Sequence, residues 1–265
     1  MYSSFQLAKK YLRYYSVAKN GKGHGIHSPF VFDFVVHVLN DHNNYDCYNK
    51  IEQLRLQLLR DNRVIETKDF GAGSAVISSP GKKIKAIAKS SLKNKKFAQL
   101  LFRIVNYYQP ATIIELGTSF GITTCYLACG NKKSEIYTFE GSSSIAEIAR
   151  KNFNSAGFQH INLIEGNFDT TFFISLANVE KIDFAFVDGN HRKVATLNYF
   201  SYLKTKCAPA SIIVFDDIHW SSEMEEAWEQ IKQEDSVTLT IDLFFMGLVF
   251  FNPDFKAKQH FTIRF

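Results

Sequence analysis

From Ala111 to the C-terminus, short β-branched or aromatic runs alternate with segments of helical periodicity, and this alternation constrains the fold more than any other feature of the chain. Strand-like runs lie at Thr112–Leu116, Glu135–Phe139, Ile161–Glu165, Ile182–Val187 and Ser211–Phe215. Helical stretches lie near Gly121–Ala128, Ser143–Ala156, Phe168–Asn178, Lys193–Lys204 and Ser221–Glu234. A strand that returns parallel to its predecessor needs a crossover of a dozen or more residues, which a helix supplies. Five successive βα units therefore predict a doubly wound α/β fold with a mostly parallel sheet. Two further runs, Val237–Leu243 and Phe245–Phe251, leave no room for a crossover, so they are expected to pair antiparallel and bring the sheet to seven strands, one of them antiparallel.

Residues 1–110 are less regular. They read as a mainly helical extension and substrate cap ahead of a domain spanning 111–265. Phe5–Tyr15 and Ile51–Arg60 look helical, and Leu92–Tyr108 forms an amphipathic helix that stops at Gln109-Pro110, because the residue before proline is pushed away from the helical region. The Gly/Ser-rich piece Gly71–Gly81 is a loop by composition and a candidate lid.

Charge divides the chain unevenly: residues 1–110 hold 18 Lys and Arg against 7 Asp and Glu, and residues 111–265 hold 13 against 19. A basic segment of this kind is either a solvated face that docks on the acidic half or a holder of an anionic partner such as nucleic acid. No aromatic-plus-basic RNA signature accompanies it, which favours the first reading. The N-terminus carries charges where a signal peptide needs an apolar run, and no stretch approaches 18 consecutive apolar residues. Cytoplasmic residence and no membrane partner are the expectation. The four cysteines show no CxxC spacing, as fits reduced thiols. Oligomeric state is left open, a homodimer included.

Chemistry concentrates at strand ends. Strand Thr112–Leu116 runs into Glu115-Leu-Gly117-Thr-Ser-Phe-Gly121 and then a helix, so glycines sit where the chain must turn tightly and let a ligand touch backbone. The next strand closes on Glu140, 19 residues beyond Gly121, where a carboxylate can accept both ribose hydroxyls of an adenosine cofactor. The spacing Gly117-x-x-x-Gly121 departs from the G-x-G-x-x-G that lets backbone approach a pyrophosphate.

ELGTSFG followed by YTFEG, IEGNF, FAFVDGNH and IIVFDD resembles the class I S-adenosylmethionine-dependent methyltransferases, and within them the small-molecule O-methyltransferases, over residues 111–251. The resemblance implies S-adenosylmethionine as cofactor, with Gly117 and Gly121 lining it, Glu115 near its amino-acid end and Glu140 on the ribose. Asn167 takes the place where the family usually has Asp beside the adenine amine, and an amide oxygen can still accept there. Asp188 would face the methionine portion or a metal.

A second cluster follows from sheet geometry, because ligands of open α/β sheets bind beyond the carboxyl ends of the strands. Asp188-Gly-Asn-His191 and Asp216-Asp217-Ile-His219 end two strands that should be neighbours. Three carboxylates on one rim call for a cation, and oxygen donors favour Mg²⁺, as in the metal-dependent O-methyltransferases this arrangement resembles. Asp188, Asp216 and Asp217 are the expected ligands; the alternative is that Asp216 caps the following helix and no metal binds. Where some relatives carry an acidic base two residues after the first ligand, this chain has Asn190, which cannot take a proton. His191 or His219 is the better base, with Asp188 beside them in the catalytic set.

The expected activity is methyl transfer to the hydroxyl of a small-molecule acceptor. The alternative is an RNA or protein methyltransferase that holds its substrate with the basic N-terminal segment. Against nucleic-acid amino methylation, Asp188-Gly-Asn-His replaces the Asn/Asp-Pro-Pro-aromatic clamp; against RNA C5 methylation, no Pro-Cys nucleophile exists.

Overall fold

A computed structural model describes residues 1–69 and 77–265. The chain divides into two compact units, one made of Met1–Asp41 with Val179–Phe265 and the other of His42–Asn178. The residues ahead of position 110 are therefore shared between both.

The first unit begins with helix α1 (Ser4–Val17), opened by a capping box in which the Ser3 hydroxyl accepts the Gln6 amide at 3.3 Å and the Gln6 side chain accepts the Ser3 amide at 2.8 Å. Helix α2 (Pro29–Phe34) starts on proline behind the Ser28 cap, where a missing N–H costs nothing, and runs into a π-helical turn at Val35–Leu39.

The second unit carries α3 (Asp46–Arg60), the antiparallel pair β1 (Val64–Asp69) and β2 (Ile77–Lys83), α4 (Ile84–Ser91) and α5 (Lys95–Tyr108). Helix α5 stops as expected: Gln109, held before Pro110, leaves the helix in the left-handed region at φ 49°. Three βα repeats follow, β3 (Thr112–Leu116), α6 (Ile122–Gly130), β4 (Glu135–Glu140), α7 (Ser143–Ala156), β5 (Ile161–Glu165) and α8 (Phe168–Ser175). Strands β3, β4 and β5 pair in parallel, in register from Leu116 to Phe139 and from Glu140 to Glu165.

The chain then returns to the first unit with β6 (Ile182–Val187), α9 (Lys193–Lys204), β7 (Cys207–Asp216), α10 (Ser222–Gln233), β8 (Leu239–Asp242), β9 (Met246–Phe250) and β10 (Gln259–Thr262). Strand β9 runs antiparallel to both β7 and β8, as the missing crossover predicts, while β6 and β10 are parallel to their neighbours β7 and β8. The expected seven strands are joined by an eighth, β10. In β3, β6 and β9 nearly every residue is buried without alternation, which is the mark of strands covered on both faces, as in a doubly wound sheet. The burial of each such Val, Ile, Leu or Phe stabilises the fold by about 1.5–3 kcal/mol.

One expectation is corrected. Residues 77–81 of the Gly/Ser-rich piece read as loop belong to strand β2, whose backbone ladder with β1 outweighs its composition. The rest of that piece, with the adjoining Phe70, lies outside the described residues.

Candidate active site

In the second unit the glycine bend and Glu140 meet. Gly117 leaves β3 at φ 98°, and its amide and that of Thr118 donate to the Phe139 carbonyl at 3.1 and 2.9 Å, which folds the bend over the end of β4. Ser119 then takes φ 47°, a left-handed value that costs a non-glycine residue of order 1 kcal/mol and persists only where the surroundings hold it. What holds it is Glu140: one carboxylate oxygen accepts the Ser119 amide at 2.8 Å, and the other accepts the Ser142 amide at 2.9 Å. Gly121 closes the bend at φ 78° against the Phe153 ring; a Cβ there would stand 2.3 Å from the ring edge, so only glycine fits.

Beneath the bend, Glu115 is fully buried, and the hydroxyls of Thr124 and Thr138 donate to its Oε2 at 2.5 and 2.6 Å. Thr118 and Thr138 share a further hydroxyl contact of 2.6 Å. These threonines and Ser119 were not singled out from sequence; the hydroxyl-rich run Thr118-Ser-Phe-Gly-Ile-Thr-Thr124 is a signal for Thr118, Ser119 and Thr124, while Thr138 on β4 lies outside it. At the end of β5, Gly166 donates its amide to the Glu140 carbonyl at 2.9 Å, and Asn167 caps α8 by accepting the Asp169 amide at 3.0 Å.

The first unit holds the acidic cluster. Strand β6 delivers Asp188 and strand β7 delivers Asp216, which is buried, and the turn after Asp188 carries His191 back toward both. One ligand atom from each of Asp188, His191 and Asp216 lies within 4.8 Å of the others. His191 Nε2 is 3.6 Å from Asp188 Oδ1. Donors on one ion with bonds of about 2.1 Å stand at most about 4.2 Å apart, so small side-chain rotations suffice to close this set on a metal. The gathered trio therefore contains an imidazole where an oxygen-only set was expected. Asp217 is outside it: the residue turns at φ 52° and donates its amide to the Phe245 carbonyl at 2.7 Å.

His219 sits apart from that trio. Its Nδ1 is 3.0 Å from Glu225 Oε1, its Nε2 is 2.9 Å from Asp242 Oδ2, and the ring stacks on Phe244 at 5.1 Å. Burial alone would depress its pKa, but hydrogen bonding and charge from Asp242 and then Glu225 outweigh it, so the pKa is raised above the usual 6.5. Glu225 is in turn held below the usual carboxylate value: burial opposes this, and Lys10, Tyr2 and His219 overcome it. With both ring nitrogens engaged by carboxylates, the His219 imidazole functions as a clamp between α10 and the end of β8.

Comparison with known proteins bears on the fold and the domain. Residues 114–218 match the family model described as a methyltransferase domain. The O-methyltransferase imqG of Aspergillus flavus is 31% identical over 111 residues, which is 40% of this chain and 44% of that protein, under half of its length. Among solved structures, an SAH-bound methyltransferase from Podospora anserina superimposes with TM-score 0.60 at 15% identity, covering 85% of this chain and 97% of its own. The O-methyltransferase from Bacillus cereus in complex with SAH gives TM-score 0.55 at 20% identity, covering 83% and 97%. These likenesses show the fold, which is mixed α/β and Rossmann-like.

Proposed function

We propose that this chain, which carries a methyltransferase domain over residues 114–218, is an S-adenosylmethionine-dependent O-methyltransferase acting on the hydroxyl of a small molecule. The observation that carries the proposal is Glu140, fixed on the Ser119 amide above the Gly117–Gly121 bend. The carboxylate accepts the Ser119 and Ser142 amides, one on each oxygen, and a carboxylate set at a strand end beside a glycine bend is the group suited to accept two vicinal ribose hydroxyls. Gly117 and Gly121 would line the cofactor, with Glu115 below its amino-acid end and the Asn167 amide toward the adenine. When bound, S-adenosylmethionine supplies a methyl group on a sulfonium sulfur, already activated toward an oxygen nucleophile.

The chain's remaining task is to orient the acceptor hydroxyl and take its proton. His191, with Asp188 3.6 Å away to orient the ring, is the residue suited to receive it. A divalent ion held by Asp188, His191 and Asp216 would instead supply Lewis acidity toward the hydroxyl. Mixed imidazole and carboxylate donors suit Mn²⁺, Fe²⁺ or Zn²⁺ better than Mg²⁺. Residues 1–110 are the proposed source of acceptor selectivity. No described helix is long and apolar enough to cross a membrane.

Methyl-labelled cofactor and a panel of phenolic and catecholic acceptors test the activity, with and without EDTA. Label in a hydroxyl acceptor supports the proposal, and loss of transfer on chelation assigns the acidic trio to a metal. Transfer confined to RNA, with affinity falling steeply as salt rises, would replace it with the nucleic-acid reading.

A further inference from the structure

We propose that the first unit holds a second ligand site, away from its acidic cluster, for a small aromatic carboxylate. No residue of the basic, glycine-rich segment from Lys19 to Phe30 is assigned to the cofactor or to proton transfer, yet the segment walls a cavity of about 560 Å³ together with residues 252–261. That volume lies in the range of about 300–1,000 Å³ typical of small-molecule sites.

The wall is pinned in place. Lys19 bridges to Ile263, its amide donating to the Thr262 carbonyl at 2.8 Å while its own carbonyl accepts the Arg264 amide at 3.1 Å. The Asn40 side chain donates to the Gly21 carbonyl at 2.7 Å. At the far end of the segment Ser28 is buried as the cap of α2. A wall tied at both ends loses little freedom when a ligand enters.

The lining specifies the ligand. Phe30, Phe255 and Phe261 offer aromatic faces, and the Phe30 and Phe255 rings already pack edge-on at 5.3 Å, the arrangement a third flat ring can join. Lys19 sets its ammonium 4.8 Å from the Phe261 ring centre, and His27 adds a second basic group, so an anionic head would sit beside the aromatic body. The amides of Asn252 and Gln259 supply hydrogen bonds. Among the described lining residues Asp254 is the one acid, which suits a monoanion over a dianion.

Strand register separates this cavity from the acidic cluster. Asp216 pairs with Met246, whereas Gln259 lies level with Leu239, which pairs with Phe250, the partner of Ile212. Gln259 is thus four residues of β7 from the level of Asp216 and Phe261 two, and β10 lies three strands from β7 across the sheet, roughly 14 Å at about 4.8 Å per strand. A molecule in the cavity is therefore a bound ligand of the first unit and not the reacting acceptor.

Fluorine NMR with 4-fluorobenzoate, on the full chain without cofactor, tests the proposal without reading methyl transfer. The expected result is saturable broadening, with about fivefold weaker binding for Lys19→Gln and for the neutral probe 4-fluorobenzamide, the ratio matching about 1 kcal/mol for one partly exposed charge pair. Phe255→Ala, at a partly exposed position, should weaken both probes alike. Asp188→Asn should leave binding unchanged. No saturable broadening at millimolar probe, equal binding of acid and amide, or loss of binding in Asp188→Asn would each overturn it.

Discussion

Glu140 Oε2 accepts the backbone amide of Ser119 at 2.8 Å, across 21 positions of sequence, and this bond ties the end of β4 to the bend that leaves β3. The parallel register of the two strands brings it about, since Leu116 pairs with Phe139 and places the first residue of the bend beside the carboxylate that follows. The Ser119 backbone is strained without that acceptor, so the bend and the acid form one device.

Gly121→Ala tests the tightness of the bend. A Cβ would meet the Phe153 ring at 2.3 Å and would sit at φ 78°. Unfolding should lose about 2–4 kcal/mol, roughly 5–10 °C in Tm. An unchanged denaturation midpoint would show that the ring moves aside freely.

Glu115→Ala removes the acceptor of two buried hydroxyls, on Thr124 and Thr138. The expected loss is about 2–4 kcal/mol, with Glu115→Gln costing clearly less because an amide oxygen still accepts. Equal losses by urea denaturation would mean that charge, and not hydroxyl acceptance, is what Glu115 provides.

The doubly wound core was legible because short runs rich in β-branched and aromatic residues alternate with helical stretches: β3, β5 and β6 match the expected limits, as do helices α7 and α9. Strand β10 was hidden, since Gln259-His-Phe-Thr262 carries no apolar run. The first residues of β7 were hidden by Pro209, which signals a loop. At the site, Glu140 and the glycine bend were legible from spacing alone. The engagement of His219 was not, because its partner Asp242 is 23 positions away and the pairing of β8 with β9 and β10 holds it there.

The His219 clamp makes the stability of the first unit depend on pH. A raised pKa means the protonated ring is the form the fold favours, so its contribution is complete below the ordinary value of 6.5 and is lost as pH rises through the raised value. Glu225 has a lowered pKa, so its contribution is present above the ordinary 4.5 and is lost as pH falls through the lowered value. The stability difference between wild type and His219→Gln should therefore be larger at pH 6 than at pH 9 in denaturant titrations. A difference independent of pH would contradict the charged clamp.

Metal binding at the acidic trio is tested by calorimetric titration of Mn²⁺ into chelator-treated protein. His191→Ala or Asp188→Asn should weaken binding about 10-fold or more, and Asp217→Asn far less, since Asp217 is outside the trio. Identical isotherms for all three variants and wild type would leave the trio without a metal role.

The most direct measurement is calorimetry of S-adenosylmethionine binding to wild type and to Glu140→Ala. The account predicts saturable binding to wild type and at least about 10-fold weaker binding to the variant, from the loss of two hydroxyl acceptors at about 1 kcal/mol or more each. Equal affinity in both proteins, or no heat from wild type at millimolar cofactor, would contradict it.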